Sequence, residues 1–125
     1  MEYKEFVLAV TDRTELSRQE AADLTRATLE ALAERVSGGE LRQLAMQLPD
    51  GLREYVRSNK KAADHFGLTE FIRKVGEHAG LTEPETTAGV RAVLTTLREA
   101  ISAEEYRDVM SQLPGDFAEL VDATP

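Results

Sequence analysis

The 125-residue sequence contains no cysteine and only two histidines. The absence of cysteine excludes disulfide bonds and thiolate metal sites, and it is compatible with a reducing cytoplasm. His65 and His78 do not form the H-x-x-x-H or E-x-x-H pairs that are typical of metal sites on helices. We therefore expect neither a bound metal nor a cofactor.

Long apolar runs and a positive net charge are also missing. No segment approaches the roughly 18 apolar residues that a membrane-spanning helix needs. The first residues lack the basic stretch that begins a secretory signal. The net charge of −8 argues against nucleic-acid binding, because binding to phosphates requires a basic face. These absences predict a cytoplasmic protein that binds neither membranes nor nucleic acids.

Signatures of catalysis are scarce as well. The one adjacent glycine pair, Gly38 and Gly39, lacks the preceding strand and the following lysine of a phosphate-binding loop. No G-x-S-x-G motif occurs, and Ser17, Ser37 and Ser102 are each explained as the N-cap of a helix. Carboxylates are plentiful, but the inward Glu and nearby His pairs of a di-metal helical bundle are absent. The sequence therefore predicts no catalytic residue.

An internal repeat is the main feature that is present. A shift of 65 positions aligns residues 3–57 with 68–122 without a gap and gives 18 identities at 55 positions. The segment "RATLEALAERVSGGELRQLAMQLP" thereby corresponds to "RAVLTTLREAISAEEYRDVMSQLP". Acidic and basic side chains number 10 and 8 in the first copy but 11 and 5 in the second. We infer a duplicated unit whose second copy is the more acidic.

Each copy shows four segments with apolar residues at helical spacing, and no segment alternates with the period of a strand. The longest predicted helices cover residues 18–36 and 83–101, and Pro49 and Pro114 end the helices that follow them. A capping box, in which a Ser or Thr and a Glu three residues later bond each other's backbone N–H, is predicted at four helix starts. The four boxes are Ser17 with Glu20, Ser37 with Glu40, Thr82 with Glu85, and Ser102 with Glu105.

The expected fold is all-α, with eight helices arranged as two tandem four-helix repeats in one bundle-like domain, residues 1–125, of pseudo-twofold symmetry. A lone unit of about 55 residues has a marginal core, so two copies placed face to face would shield each other's apolar surfaces. Residues 58–67 form the linker between repeat 3–57 and repeat 68–122. The alternative is two separate units on a tether.

The pattern R-A-[TV]-L-x-x-L-x-E, followed by Q-L-P, occurs once in each copy. The chain thereby resembles, over nearly its whole length, a bacterial family of uncharacterised proteins known as domain of unknown function 2267. The resemblance implies an all-helical duplicated fold and a bacterial cytoplasmic setting. It implies no activity, cofactor or catalytic residue.

Arg26 and Arg91 occupy corresponding positions beside the apolar stripes of the longest helices. As structural residues they would bury their stems and form ion pairs with carboxylates of neighbouring helices, which is the interpretation that we favour. As functional residues they would line a cleft between the repeats and bind an anionic ligand. The candidate carboxylate partners are Glu34, Glu54, Glu99 and Glu119.

A basic run, Arg53, Arg57, Lys60 and Lys61, extends from the end of the first copy into the linker. It is either a solvated helix C-terminus, favoured by the helix dipole, or a docking patch for an acidic partner protein.

Taken together, these features predict a non-enzymatic interaction or regulatory module of the bacterial cytoplasm, with a protein as its partner. The alternative is a small-ligand binder or enzyme that uses a groove between the repeats near Arg26 and Arg91. A closed, dry contact between the copies would favour the module, and a cavity with convergent polar groups would favour the alternative.

Overall fold

The computed structural model describes residues 1–57 and 63–123, which form seven α-helices and one short 3₁₀ turn and contain no strand. The all-α class is thereby confirmed. The helices are α1 (Tyr3–Asp12), α2 (Arg18–Arg35), α3 (Gly38–Gln47), α4 (Leu68–Ala79), α5 (Glu83–Ala100), α6 (Ala103–Ser111) and α7 (Gly115–Asp122), and the 3₁₀ turn, Arg53–Val56, lies between α3 and α4.

The expected count of eight helices is wrong, because the fourth segment of the first copy is only the 3₁₀ turn. Gly51 precedes this turn with a φ of 94°, a left-handed conformation that interrupts any helix starting after Pro49. The backbone N–H of Leu52 then donates to the Pro49 carbonyl at 3.1 Å, three residues back. In the second half, α7 begins directly after Pro114 and continues for eight residues.

The two 18-residue helices, α2 and α5, lie at the centre of the fold. Helix α1 packs against both of them, and so does α4. The buried apolar side chains form one hydrophobic cluster that includes Phe6, Leu24, Phe71 and Leu94, each fully shielded from solvent. Helices α3 and α6 contact each other at the side of this core.

Helices α2 and α5 approach closely at Leu24 and Gly89. A Cβ atom at position 89 would lie 2.3 Å from Leu24 Cδ2, so any larger residue would force the Leu24 side chain to move. Glycine at this position therefore allows the two longest helices to pack directly against each other.

Capping boxes start α2 and α5 as predicted. The Ser17 hydroxyl accepts the backbone N–H of Glu20, while the Glu20 carboxylate accepts the N–H of Ser17; Thr82 and Glu85 repeat this exchange. Each helix ends one residue earlier than predicted. None of the described helices combines the length and the apolar content that would allow it to cross a bilayer.

Candidate functional site

Helices α3 and α6 start differently from α2 and α5. The Gln112 side chain accepts the backbone N–H of Ser37 through Oε1 at 2.8 Å, and its Nε2 donates to the Ser37 hydroxyl at 3.0 Å. The Gln47 side chain, from the end of α3, likewise accepts the N–H of Ser102 at 2.7 Å. Each of these helix starts is thus bound by a glutamine that is distant in sequence.

The capping boxes predicted at these two starts are therefore wrong in one of their two bonds. The Ser37 hydroxyl does accept the N–H of Glu40 at 3.4 Å, and the Ser102 hydroxyl accepts the N–H of Glu105 at 3.1 Å. The return bond from each glutamate is replaced by the bond from glutamine. Both carboxylates are consequently free to point elsewhere.

The freed carboxylates meet at the contact between α3 and α6. One oxygen from each of Glu40, Glu105 and Asp108 lies within 4.8 Å of the other two, and we call these three residues the carboxylate cluster. Glu105 is only 4% exposed, whereas Glu40 and Asp108 are partly exposed. The sequence-based interpretation of Glu40 and Glu105 as capping residues concealed this site.

The electrostatics of the carboxylate cluster are unfavourable for three negative charges. The Oε2 atoms of Glu40 and Glu105 are buried, and neither meets a hydrogen-bond donor among the described residues. The pKa of Glu105 is raised to about 7, mainly by burial and then by the hydrogen bond and negative charge of the adjacent Glu40 carboxyl, with smaller contributions from Asp108 and Glu104. Near neutral pH the cluster therefore holds either a shared proton or another cation.

A groove lies between α3 and the 3₁₀ turn and encloses about 700 Å³. Its apolar part contains Met46, which is 79% exposed and lies next to the buried Leu41 and Val56. We call this surface the α3 groove; its lining residues are Gly38, Leu41, Arg42, Ala45, Met46, Arg53, Val56 and Arg57. The lining thus includes three arginines and no carboxylate.

Two residues of the predicted basic run, Arg53 and Arg57, lie in the α3 groove, while Lys60 and Lys61 lie outside the described residues. Arg53 is held in place, because its Nε donates to the Leu48 carbonyl at 2.8 Å and its guanidinium lies 2.9 Å from the Asp50 carboxylate. Sequence reasoning missed Arg42. Its four-residue separation from Met46 on α3 was the available signal, since it places both on one face.

Arg26 and Arg91 differ from each other. Arg26 Nε lies 3.5 Å from a Glu30 carboxylate oxygen one turn along α2, and both side chains are about half exposed. Its guanidinium is also 5.2 Å from the centre of the Tyr55 ring. Arg91 donates to the backbone carbonyl of Ala123, so a carbonyl takes the place of the expected carboxylate.

Two of the carboxylates that were expected to bind these arginines have other partners. Glu99 lies 2.7 Å from Arg13, and this guanidinium lowers the pKa of Glu99 below its ordinary value. Glu34 lies 3.8 Å from Lys74.

The cavities near Arg26 and Arg91 are separate. Arg91 lines a cavity of about 420 Å³ together with Arg13. The cavity of about 360 Å³ beside Tyr55 lies between residues of both halves; its lining does not include Arg26, and its charged and polar lining residues are Glu30, Glu34, Glu54, Arg57, Lys74 and His78. The two arginines therefore do not converge on one of these cavities.

The model of a protein family described as "Uncharacterized conserved protein (DUF2267)" matches residues 3–120, which extend from the start of α1 into α7. No protein with a curated description matches the chain. The family description assigns no activity, so the carboxylate cluster and the α3 groove are the features from which a function can be argued.

Proposed function

The chain belongs to the DUF2267 family of uncharacterised conserved proteins, and we propose that it acts as a non-enzymatic interaction module of the bacterial cytoplasm. In this proposal the α3 groove binds an acidic segment of a partner protein that also carries an apolar side chain. The observation that carries the proposal is Met46, which is 79% exposed in a groove lined by three arginines.

Charge supports an acidic occupant. The protein as a whole has a net charge of −8, yet the α3 groove contains Arg42, Arg53 and Arg57 and no acidic side chain. Within the described part of the chain, no carboxylate lies within ion-pair distance of Arg42 or Arg57. Exposed guanidinium groups without a partner can bind carboxylates in a bidentate manner, and they steer acidic partners toward the groove.

The apolar part of the groove supports an occupant that carries apolar as well as acidic side chains. Met46 projects from α3 beside Ala45, and Val56 closes the opposite side from the 3₁₀ turn. A methionine side chain adapts to differently shaped apolar partners because it is unbranched and flexible. A short amphipathic segment with one or two aliphatic residues would therefore bury Met46 while its carboxylates meet the arginines.

The corresponding face of the second half is closed, which supports placing the docking surface on the first half. There α7 replaces the short 3₁₀ turn, and Tyr106, at the position corresponding to Leu41, is partly buried. The Arg98 guanidinium lies 5.8 Å from the Tyr106 ring and 3.3 Å from the Asp122 carboxylate. This face is thus occupied by the protein's own side chains.

The proposal also includes the duplicated organisation, with repeats 3–57 and 68–122 forming one domain about a pseudo-twofold axis. Two observations support it. The bond from Ser37 to Gln112 and the bond from Ser102 to Gln47 exchange places under the 65-residue shift. The close approach of Leu24 and Gly89 also joins corresponding positions.

A titration with defined peptides tests the docking proposal. Peptides that alternate Glu and Leu are added to the isotopically labelled protein, and backbone amide chemical shifts are followed by NMR. We expect shifts at the residues that line the α3 groove, and an affinity that falls as salt is added. The variant combining Arg42→Glu and Arg57→Glu should bind about tenfold more weakly, since a desolvated charge pair contributes a few kcal/mol.

Arg107→Glu provides the matched control, because Arg107 is exposed and corresponds to Arg42 in the second half. It should leave the affinity for the peptide unchanged. The proposal fails if the peptides shift signals elsewhere, or if Lys-Leu peptides bind equally well. Sedimentation of the protein alone shows whether a second copy is the occupant, since a salt-sensitive dimer would then form and be lost with the same double variant.

A further inference from the structure

We infer that the carboxylate cluster of Glu40, Glu105 and Asp108 is a binding site for one hard divalent cation of the Mg²⁺, Ca²⁺ and Mn²⁺ class. The site lies at the contact between α3 and α6. This inference is independent of the docking proposal, which concerns the groove between α3 and the 3₁₀ turn.

The spacing of the oxygens fits one ion. Oxygen ligands lie about 2.0–2.6 Å from Mg²⁺ or Ca²⁺, so two ligands of the same ion are at most about 5 Å apart. The three cluster oxygens lie within 4.8 Å of one another. Carboxylates with no sulfur or imidazole among them are the ligand set of hard cations rather than of zinc or copper.

The buried carboxylate oxygens also point to a bound cation. Glu105 is more than nine-tenths buried, and its Oε2 atom meets no hydrogen-bond donor among the described residues. The Oε2 atom of Glu40 is also buried and also meets no donor among the described residues. A buried charged oxygen without a partner costs free energy, so these oxygens favour either a proton shared between Glu40 and Glu105 or a bound cation, and the described side chains supply no cation.

Charge balance favours a divalent ion over a shared proton. No lysine, arginine or histidine forms an ion pair with any cluster residue in the described ranges, so three ionised carboxylates would carry a charge of −3. One proton between Glu40 and Glu105 would leave −2 and would give Asp108 no partner. One divalent ion would leave −1 and would contact all three.

The surrounding structure makes the site available. Gln112 and Gln47 satisfy the backbone N–H groups of Ser37 and Ser102, so the glutamates are not needed at the helix starts. Glu40 is partly exposed, and so is Asp108. An ion can therefore enter from solvent and keep several of its water molecules, as Mg²⁺ prefers to do.

Titration of the chelator-treated protein with Mn²⁺ and with Ca²⁺ tests the inference. Calorimetry should show one equivalent bound, and Mn²⁺ should broaden the amide signals of residues 38–42 and 103–110 through its unpaired electrons. Asp108→Asn and Glu105→Gln should each lower the affinity about tenfold or more. Glu104→Gln, a neighbouring exposed carboxylate on α6, should change it less than about threefold.

The absence of binding heat and of signal broadening at millimolar metal would overturn the inference and leave the carboxylates as a proton-sharing pair. Broadening at other residues, or affinity that both variants retain, would also overturn it. If Glu105→Gln does not fold, the more exposed Asp108→Asn and the broadening in the unaltered protein still decide the question.

Discussion

The starts of α2 and α3 carry the same local signal and form different structures. Each begins with a serine followed three residues later by a glutamate, Ser17 with Glu20 and Ser37 with Glu40. At α2 the Glu20 carboxylate accepts the Ser17 N–H at 2.9 Å, whereas at α3 the Gln112 side chain accepts the Ser37 N–H at 2.8 Å. Helix α5 resembles α2, and α6 resembles α3.

The comparison shows that a capping motif offers a carboxylate acceptor to the N-cap N–H but does not decide which acceptor that N–H meets. Where no side chain from elsewhere in the molecule reaches the helix start, its own glutamate accepts the N–H and the box closes. Where another part of the molecule delivers a glutamine, the neutral amide replaces the carboxylate. The displaced Glu40 and Glu105 then lie in a place where their charges are unfavourable, and violations of this kind concentrate at functional sites.

The largest expected effect on stability is that of a substitution at Glu105, one of the two displaced carboxylates. In the absence of divalent ions, Glu105→Gln should raise the free energy of unfolding at pH 8 by about 2 kcal/mol, because a neutral amide removes a buried charge. In the unaltered protein the pKa of Glu105 is about 7, above its ordinary 4.5. Its stabilising contribution is therefore complete below pH 4.5 and is lost as the pH rises through about 7.

Urea denaturation at several pH values measures this effect. The groups that face Glu105 are Glu40 from α3 and Asp108 and Glu104 from α6, all acidic, so they act in the same direction. Glu20→Gln is the control at the closed box and should leave the pH dependence between 5 and 8 in place. An identical pH dependence in Glu105→Gln would contradict the assignment.

A second, smaller effect concerns the glutamines. Gln112→Ala should lower the free energy of unfolding by about 1–2 kcal/mol, because it removes two hydrogen bonds and leaves a helix-start N–H without its acceptor. Gln47→Ala, which removes one bond, should cost about 1 kcal/mol. Gln43→Ala, on an exposed part of α3, is the control for loss of a glutamine. Equal stability of the Gln43 and Gln112 variants would show that the long-range bonds contribute nothing.

The smallest expected effect sharpens the contrast between the two glutamates. Glu20→Ala should lower the free energy of unfolding by about 0.5 kcal/mol, because a carboxylate near a helix N-terminus is stabilising. Glu40→Ala should not lower it at pH 8, since this carboxylate faces two others and caps nothing. Thermal melting of the two variants makes the comparison. A similar loss in both would mean that the box at α3 does close in solution.

Much of the fold was predictable because the signals are local. The apolar spacing of α2 and α5 and their capping boxes placed both ends of each helix within one residue. The 3₁₀ turn in the fourth segment of the first copy was not predictable, because the apolar residues Leu52, Tyr55 and Val56 suit a helix. The left-handed Gly51, packed against Tyr3, interrupts a helix that starts after Pro49, and the described residues that follow form only the 3₁₀ turn.

The candidate sites were less predictable, because they depend on contacts between distant residues. Arg53 and Arg57 could be selected from their charge, but Arg42 joins them only once α3 packs beside the 3₁₀ turn. The carboxylate cluster was hidden by the capping rule, which holds in full at α2 and α5 but only in part at α3 and α6, since Glu40 and Glu105 stand three residues after a cap serine.

The amino-acid sequence by itself determined the helical class, the course of the long helices and the residues that start them, because these depend on periodicity and on bonds within one turn. Only the tertiary structure decided which acceptor meets Ser37 and Ser102, and hence where the carboxylates of Glu40 and Glu105 lie. The physical reason is competition. Several acceptors can satisfy one backbone N–H, and the packing of α3 against α6 selects among them.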